Sequence, residues 1–460
     1  LSARHLDKLC ERVDTFSVSG DGERLVVRHR DDTIVVPSSH KVDDDDPACI
    51  RVDLTRLRRT VNPRAEWRQM FDENGRLMAS HYWREDMNGV DWDSVLNRYR
   101  PLVDLCHVVD DLHDILWETV AELNTSHSYV SASGAAGDSD MRAGLLGADV
   151  SSGDDGARVV RVIPGESSDP RAWSPLRAAG VAVTEGDVIV AVDGRKVGAD
   201  GNLGELLEGS AGRVVELTVR RGENERQVAV VPMADEAPLR YHDWVASRRR
   251  YVEEHSGGRL GYLHVPDMVS DGWAELHRQI GEATRHEGVI ADVRFNHGGH
   301  TSQLVVERLA RRVVGWDYSR WYATADTYPQ NAVRGPIVMV TNQWAGSDGD
   351  IVAAATQAMG YAKVIGERSW GGVVGIDGRF DLVDGTSVTQ PRYAGWYGSY
   401  GWGVENHGVD PDIVVTVSPE DWEADRDVQL DAAIAECLRQ LDDKPAATAP
   451  ELPGPAFDRC

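Results

Sequence analysis

Between residues 234 and 440, short apolar runs alternate with helix-like ones, and this alternation restricts the possible fold more than any other feature of the chain. Strand-like runs lie at 260–265, 289–294, 337–341 and 363–365, and helix-like stretches at about 271–284, 301–313 and 350–359. Strands spaced by helices pair in parallel through crossover connections, so the order predicts an α/β sheet. At one junction the apolar run Pro336-Ile337-Val338-Met339-Val340 leads into TNQWAGSDGDIVAAA (341–355), with a lone serine, Ser347, behind Gly346. Gly, Ser and Asp are ordinary turn residues, and Asp348 or Asp350 fits a helix cap. The same strand, sharp turn and helix N-terminus also suit an exposed nucleophile beside backbone amides that stabilise an oxyanion. These residues alone leave both readings open.

The rest of the chain divides by its periodicity. Residues 15–37 predict two short strands around turns at Gly20-Asp21-Gly22 and Asp31-Asp32. A two-stranded ribbon does not hold alone, so this segment reads as the tail of a preceding β-domain, with a boundary at the acidic run Asp43–Asp46 before Pro47. From about 50 to 125 the signal is helical. Leu102, Leu105, Val109, Leu112, Leu116, Val120 and Leu123 predict one face of a single long amphipathic helix ending near Asn124. Ser126 and His127 then fall at a helix end or in a loop. Residues 140–233 turn to short β-rich runs separated by Gly and Asp. Within them, PLRAAGVAVTEGDVIVAVDGRKV (175–197) resembles bacterial PDZ domains, over some 90 residues in all. Such modules bind an extended chain terminus by strand addition, and here the amides of Gly144-Leu145-Leu146-Gly147 would receive its carboxylate. The plainer alternative is a β-module that spaces its neighbours. The Pro- and Ala-rich tail is expected to be disordered.

At 460 residues the chain exceeds one core, and about three domains are expected. A formal charge of -26, from 75 acidic and 49 basic residues, argues against phosphate backbones and anionic membranes as partners. Five scattered cysteines without paired spacing suggest reduced thiols. With no signal-peptide pattern and no apolar run near the ~18–20 residues of a membrane helix, a cytoplasmic location is expected. Leu1 in place of Met reads as a processed chain or a piece of a longer one.

Four stretches carry catalytic residue types: Ser126-His127, Asn296-His297-Gly298-Gly299, Gly346-Ser347-Asp348 and Gly403-Val404-Glu405-Asn406. A serine needs a base to become a nucleophile, and a histidine base needs a partner that fixes its tautomer. Side-chain type alone does not establish either role. The stretches TSHSYV, DVRFNHGG, VRGPIVMVTNQWAGSDGDI, GERSWGGVVGI and GVENHGVDPD, in this order, resemble the landmarks of the tricorn protease family, C-terminal catalytic half. That family belongs to the serine peptidase group that includes the carboxyl-terminal processing peptidases, and the resemblance covers about residues 50–440.

The resemblance implies a multidomain α+β chain. Its parts would be terminal strands of an upstream β-propeller (1–45), a mainly helical domain carrying the catalytic His (46–137) and a PDZ-like domain (138–233). An α/β (crotonase-like) domain carrying the nucleophile (234–442) and a tail (443–460) would follow. It further implies Ser347 as nucleophile, His127 as base, Glu405 and Ser126 as its orienting groups, and the amides of Gly299 and Asp348 as the oxyanion site. His297 stands where the family pattern has a glycine. Asp317 matches the position lining the pocket for the side chain before the cut, which implies cleavage after Arg or Lys. No cofactor and no metal are implied. Implied partners are unfolded or short peptides, aminopeptidases downstream and other copies of the chain in a hexamer. Two alternatives are weighed against this. A Ser–Lys dyad would need a lysine some two dozen residues after the serine, whereas Lys363 is the only lysine between Ser347 and Tyr400. A catalytically silent, PDZ-containing peptide-binding scaffold would have no reason to keep Ser347, His127, Glu405 and Gly299 together.

Overall fold

The computed structural model describes residues 8–452 apart from 12, 31, 44, 59, 133–140, 199, 200 and 322. It falls into two compact units, Leu1–Glu66 and Trp67–Cys460. In the first, strands β1 (Thr15–Val18), β2 (Arg24–His29), β3 (Asp32–Pro37) and β4 (Ile50–Val52) form one antiparallel sheet in sequence order. The fourth strand carries the sheet past residue 45, where the sequence suggests a boundary. Asp46 explains why the acidic run does not end the sheet. Its amide donates to Asp43, and it accepts from the amides of Ala48 and Cys49, which makes the run a turn between β3 and β4. Asp44, and Asp31 of the expected Asp31-Asp32 turn, lie outside the described residues.

The helical region contains α1 (Pro63–His81), α2 (Trp92–Val103) and α3 (Val109–Ala121). The single long helix expected across 102–123 is thus two helices. The break is built by Asp111, whose carboxylate accepts from the amides of His107 and Val108 and so starts a new helix there. Leu112, Leu116, Val120 and Leu123 are buried as the periodicity predicts, while Leu102 and Leu105 N-terminal to the break are exposed. The chain then runs through the short strand β5 (Val130–Ser131).

The β-rich region holds β6 (Ala148–Gly153), β7 (Gly156–Val162), β8 (Val188–Val192), β9 (Arg195–Lys196), α4 (Leu203–Leu206), β10 (Val215–Arg221) and β11 (Asn224–Val230). Its sheet has the order β11-β10-β8-β7-β6, with β9 paired to β8. The expected boundary near 138 falls in 133–140, outside the described residues.

The last region contains α5 (Ala237–His255), β12 (Leu260–His264), α6 (Ser270–Ala283), β13 (Gly288–Asp292), α7 (Ser302–Leu309), β14 (Gly315–Asp317), β15 (Asp326–Tyr328) and β16 (Ile337–Thr341). It continues with α8 (Asp348–Met359), β17 (Ala362–Gly366), β18 (Gly375–Asp377), β19 (Ser387–Val388), β20 (Gln390–Tyr393), β21 (Ile413–Val414), α9 (Pro419–Glu423) and α10 (Val428–Asp443). A parallel sheet of order β12-β13-β16-β17-β21 forms its centre. Both faces are covered, which is why these strands are continuous apolar runs. Val289, Ala291 and Met339 pack against Leu276 and Ile280 of α6, Val305 of α7 and Val352 of α8. The alternate residues Ile290, Val338 and Val340 pack against Val245 and Val252 of α5 and Leu430 and Ile434 of α10. The tail differs from its expected disorder as far as residue 452. Ala446 packs on this second core, and the Ala447 amide donates to Arg334 at 2.8 Å. Residues 453–460 lie outside the described residues.

Candidate active site

Strand β16 ends at Thr341, and six residues later the chain turns sharply at Ser347, whose φ of 57° and ψ of -122° are strained for a side-chain-bearing residue. The turn is held from both sides. Gly346 donates its amide to Asn296 at 3.0 Å, and a Cβ on Gly346 would come within 2.7 Å of the Trp370 ring. Asp348 opens α8, so its N–H is one the helix itself leaves unpaired. The Asp348 carboxylate faces away from this role and accepts from the amide and hydroxyl of Ser302, at the start of α7.

The Gly-Gly turn after β13 lies directly on Ser347: a Cβ on Gly298 (φ 76°) would collide with its side chain. Gly298 spends its amide on the Asn296 side chain at 2.9 Å. Gly299 bridges Met268 in parallel fashion, with Met268 donating to Gly298 and His300 donating to Met268. In that pattern the N–H of the central residue faces the other way. Gly299 therefore keeps a free amide, one residue past the Gly298 that lies on Ser347. His297 donates its amide to Pro266 and its ring is exposed.

His127 follows α3 in a left-handed conformation (φ 61°) and is buried. The edges of its ring meet Tyr129 and Trp370. Its Nδ1 lies 2.9 Å from the carbonyl of Val374 and 3.4 Å from Ser126 Oγ. A carbonyl only accepts, so Nδ1 carries the proton and Nε2 keeps a lone pair. Burial holds its pKa below the ordinary histidine value, only partly opposed by the Val374 bond and the Glu405 charge. Glu405 does not touch the ring. It accepts from the Ser126 amide (2.7 Å) and hydroxyl (3.0 Å) and from the amides of Val373 (2.8 Å) and Val374 (3.0 Å). Six sequence-predicted residues thus fall into two groups, Ser126, His127 and Glu405 at one imidazole and Gly299, Ser347 and Asp348 at one turn. Ser347 Oγ makes no hydrogen bond to His127 among the described residues, and Trp370 touches both sides.

Two contributors were not anticipated. One is the Val374 carbonyl, which no sequence signal marks because every residue has one. The other is Asp350, offered by its sequence only as a helix cap. It is buried in the first turn of α8 and accepts from Ser369 Oγ, Gly371 N (2.8 Å) and Gly372 N (3.3 Å). Burial pushes its pKa up to about 6 against these bonds.

Asp317 is exposed on the β14–β15 ribbon opposite Asp326, and no contact among the described residues joins it to the turn of Ser347. Lys363 is on β17, 3.4 Å from Asp412, and does not serve Ser347. Among the described residues no group of three or more His, Cys, Asp or Glu is arranged to hold a metal ion, and no helix is long and apolar enough to cross a membrane.

Residues 63–121 match the tricorn protease C1 domain, 144–235 the tricorn protease PDZ domain, and 259–415 peptidase family S41. The chain is 57% identical over 458 residues to tricorn protease homolog 1 of Streptomyces coelicolor, covering 98% of this chain and 43% of that protein. It is 35% identical over 442 residues to tricorn protease of Thermoplasma acidophilum, covering 96% and 41%. The crystal structure of the tricorn protease superposes with a TM-score of 0.86 at 34% identity, over 96% of this chain and 43% of that one. The chain spans less than half the length of these relatives.

Proposed function

The chain belongs to the tricorn protease family, and we propose that it is a serine endopeptidase that cuts oligopeptides by acyl transfer. What supports this reading is a strained Ser347 at the head of α8 against the Gly298 turn, and a buried His127 whose Nδ1 lies on the Val374 carbonyl, with Trp370 against both Gly346 and the His127 ring. Nε2 takes the Ser347 proton as Oγ attacks the scissile carbonyl, and the Gly299 and Asp348 amides hold the developing oxyanion. His127 then protonates the leaving amine, and water repeats the cycle to release the acyl group. Catalytic hydrogen bonds commonly close only with substrate bound, which fits the open Ser347–His127 pair.

The finer reading goes with this. Asp317 lines the pocket before the cut and favours Arg or Lys there, with some hydrophobic residues also accepted. The four-stranded sheet of residues 15–52 is the end of an upstream β-propeller, whose blades are of four strands. The working protein is a cytoplasmic homo-oligomer, a hexamer, fed by larger proteases with unfolded or short peptides and followed by aminopeptidases. Wild type and Ser347→Ala are compared on fluorogenic peptides bearing Arg, Lys, Leu or Phe before the reporter. Turnover lost only in the variant, with Arg and Lys preferred, is the expected result. Equal signal from both proteins removes Ser347 as nucleophile, and equal turnover of Arg and Leu removes Asp317 from the pocket.

A further inference from the structure

The amides of residues 371–374 form an unbroken row divided between two carboxylates. Gly371 and Gly372 donate to Asp350, and Val373 and Val374 donate to Glu405. The last residue of the row also supplies the carbonyl that fixes His127 Nδ1 at 2.9 Å. At its other end the row reaches the nucleophile. Asp350 sits one helical turn after Ser347 and donates its own amide to the Ser347 carbonyl at 2.9 Å. Ser369, just before the row, donates its hydroxyl to Asp350 and accepts from the Val409 amide at 2.9 Å, which ties the segment that follows Glu405 to the same carboxylate. Gly371 is left-handed (φ 89°), and a Cβ there would collide with the backbone of His407 and Gly408, so the row lies flat against that segment.

We infer that Asp350 is a positioning residue, which sets the distance between Ser347 and His127 by gripping the first half of the strip whose second half holds the base. This rests on the peptidase reading above. Asp350 touches neither substrate nor the reacting atoms. Its carboxylate is the one side chain of α8 bonded to the 371–374 strip among the described residues, whereas a buried charge that served packing alone would be replaceable by an apolar group of similar shape. Glu405 and Asp350 then act as two anchors on one strip: removing the first frees the base, and removing the second lets the strip drift from the nucleophile. Misplacement of about 1 Å at a distance from the chemistry costs on the order of 10²-fold in rate.

The test uses the full chain and a serine-directed fluorophosphonate, reading the labelling rate constant per site separately from the final amplitude. Ser347→Ala, Asp350→Asn and Ser369→Ala are compared with wild type, together with kcat and KM on a fluorogenic peptide. Asp350→Asn keeps the size and one acceptor oxygen but cannot receive both amides. It is expected to label to the wild-type amplitude about 10- to 100-fold more slowly, with kcat reduced alike and KM unchanged. Ser369→Ala, which leaves the carboxylate in place, is expected to show a smaller slowing in the same direction. A reduced amplitude with an unchanged rate constant means fewer folded sites and overturns the positioning role, as does unchanged labelling in both variants. Absence of label in wild type overturns the peptidase reading itself and this inference with it, while label persisting in Ser347→Ala overturns the assignment of the nucleophile.

Discussion

Two glycine-containing loops of this chain look alike in sequence as places where backbone amides receive an anion, yet the structure treats them in opposite ways. In the β-rich region, Gly144 donates its amide to Leu207, Leu145 to Met233, and Gly147 to the Glu236 carboxylate at 2.7 Å. Three of the loop's four amides are thus used within the chain, and an internal carboxylate already stands on Gly147, where a peptide terminus was expected. In the catalytic region Gly298 is used by Asn296, but the bridge to Met268 turns the Gly299 amide outward beside Ser347. The difference is the partner: an internal carboxylate takes an amide of the first loop, while no acceptor among the described residues takes that of Gly299. Glycine itself supplies no more than the permission for close approach.

The largest effect that would test this contrast is expected at Gly298. An alanine there would strike Ser347 and shift the free amide next to it, so Gly298→Ala should lower kcat by about 10²–10³-fold, as loss of an oxyanion donor does. Peptide turnover at saturating substrate measures it, and near-wild-type activity would mean that the 298–299 loop is not the oxyanion site. Next is Glu405→Gln. Because Val374, not Glu405, fixes the imidazole tautomer, the loss should come through misplacement and amount to about 10²-fold in kcat with little change in KM. A loss confined to KM would argue against it.

The pH profile gives a smaller, graded effect. His127 acts as a base only when neutral, and burial lowers its pKa, so activity should rise with pH through a midpoint below the ordinary value of 6.5. A kcat/KM profile with its acid limb centred above 6.5 would contradict that environment. The smallest effect on chemistry belongs to the first loop. Glu236→Ala leaves the Gly147 amide without its partner and takes from Arg240 one of its two carboxylates, and should cost about 1–3 kcal/mol in thermal unfolding while leaving turnover unchanged. If activity fell with it, the two loops would be coupled and the contrast between them would fail.

How far each level was readable follows from the range of the forces involved. The four strand runs from 260 to 365 and the positions of α6 and α8 were legible, because burying both faces of a parallel sheet needs long uninterrupted apolar runs with helices between them. The break between α2 and α3 was hidden: the 3–4 spacing of Leu102 to Leu123 runs through it, and only the Asp111 carboxylate bonded to the His107 and Val108 amides marks it. In the first sheet residues 15–37 hold three strands where two were expected, and the fourth was masked by the acidic run, whose charge suggests a linker while its geometry is a turn.

For the site, the sequence by itself determined the chemical types. A serine after glycine at a strand-to-helix turn, a histidine at a helix end, a Gly-Gly pair after a strand and a glutamate in a glycine-flanked stretch all stand in the chain as local features. The tertiary structure alone decided which groups hold which. The roles of Asp350, Glu405 and the 371–374 amides depend on hydrogen bonds that span up to 279 positions, from Ser126 to Glu405. Every residue carries the same amide and carbonyl, so nothing in a side-chain alphabet distinguishes the Val374 carbonyl that orients the His127 ring from any other. Only folding, which brings the helix and the imidazole each within about 3 Å of the strip, gives it that role.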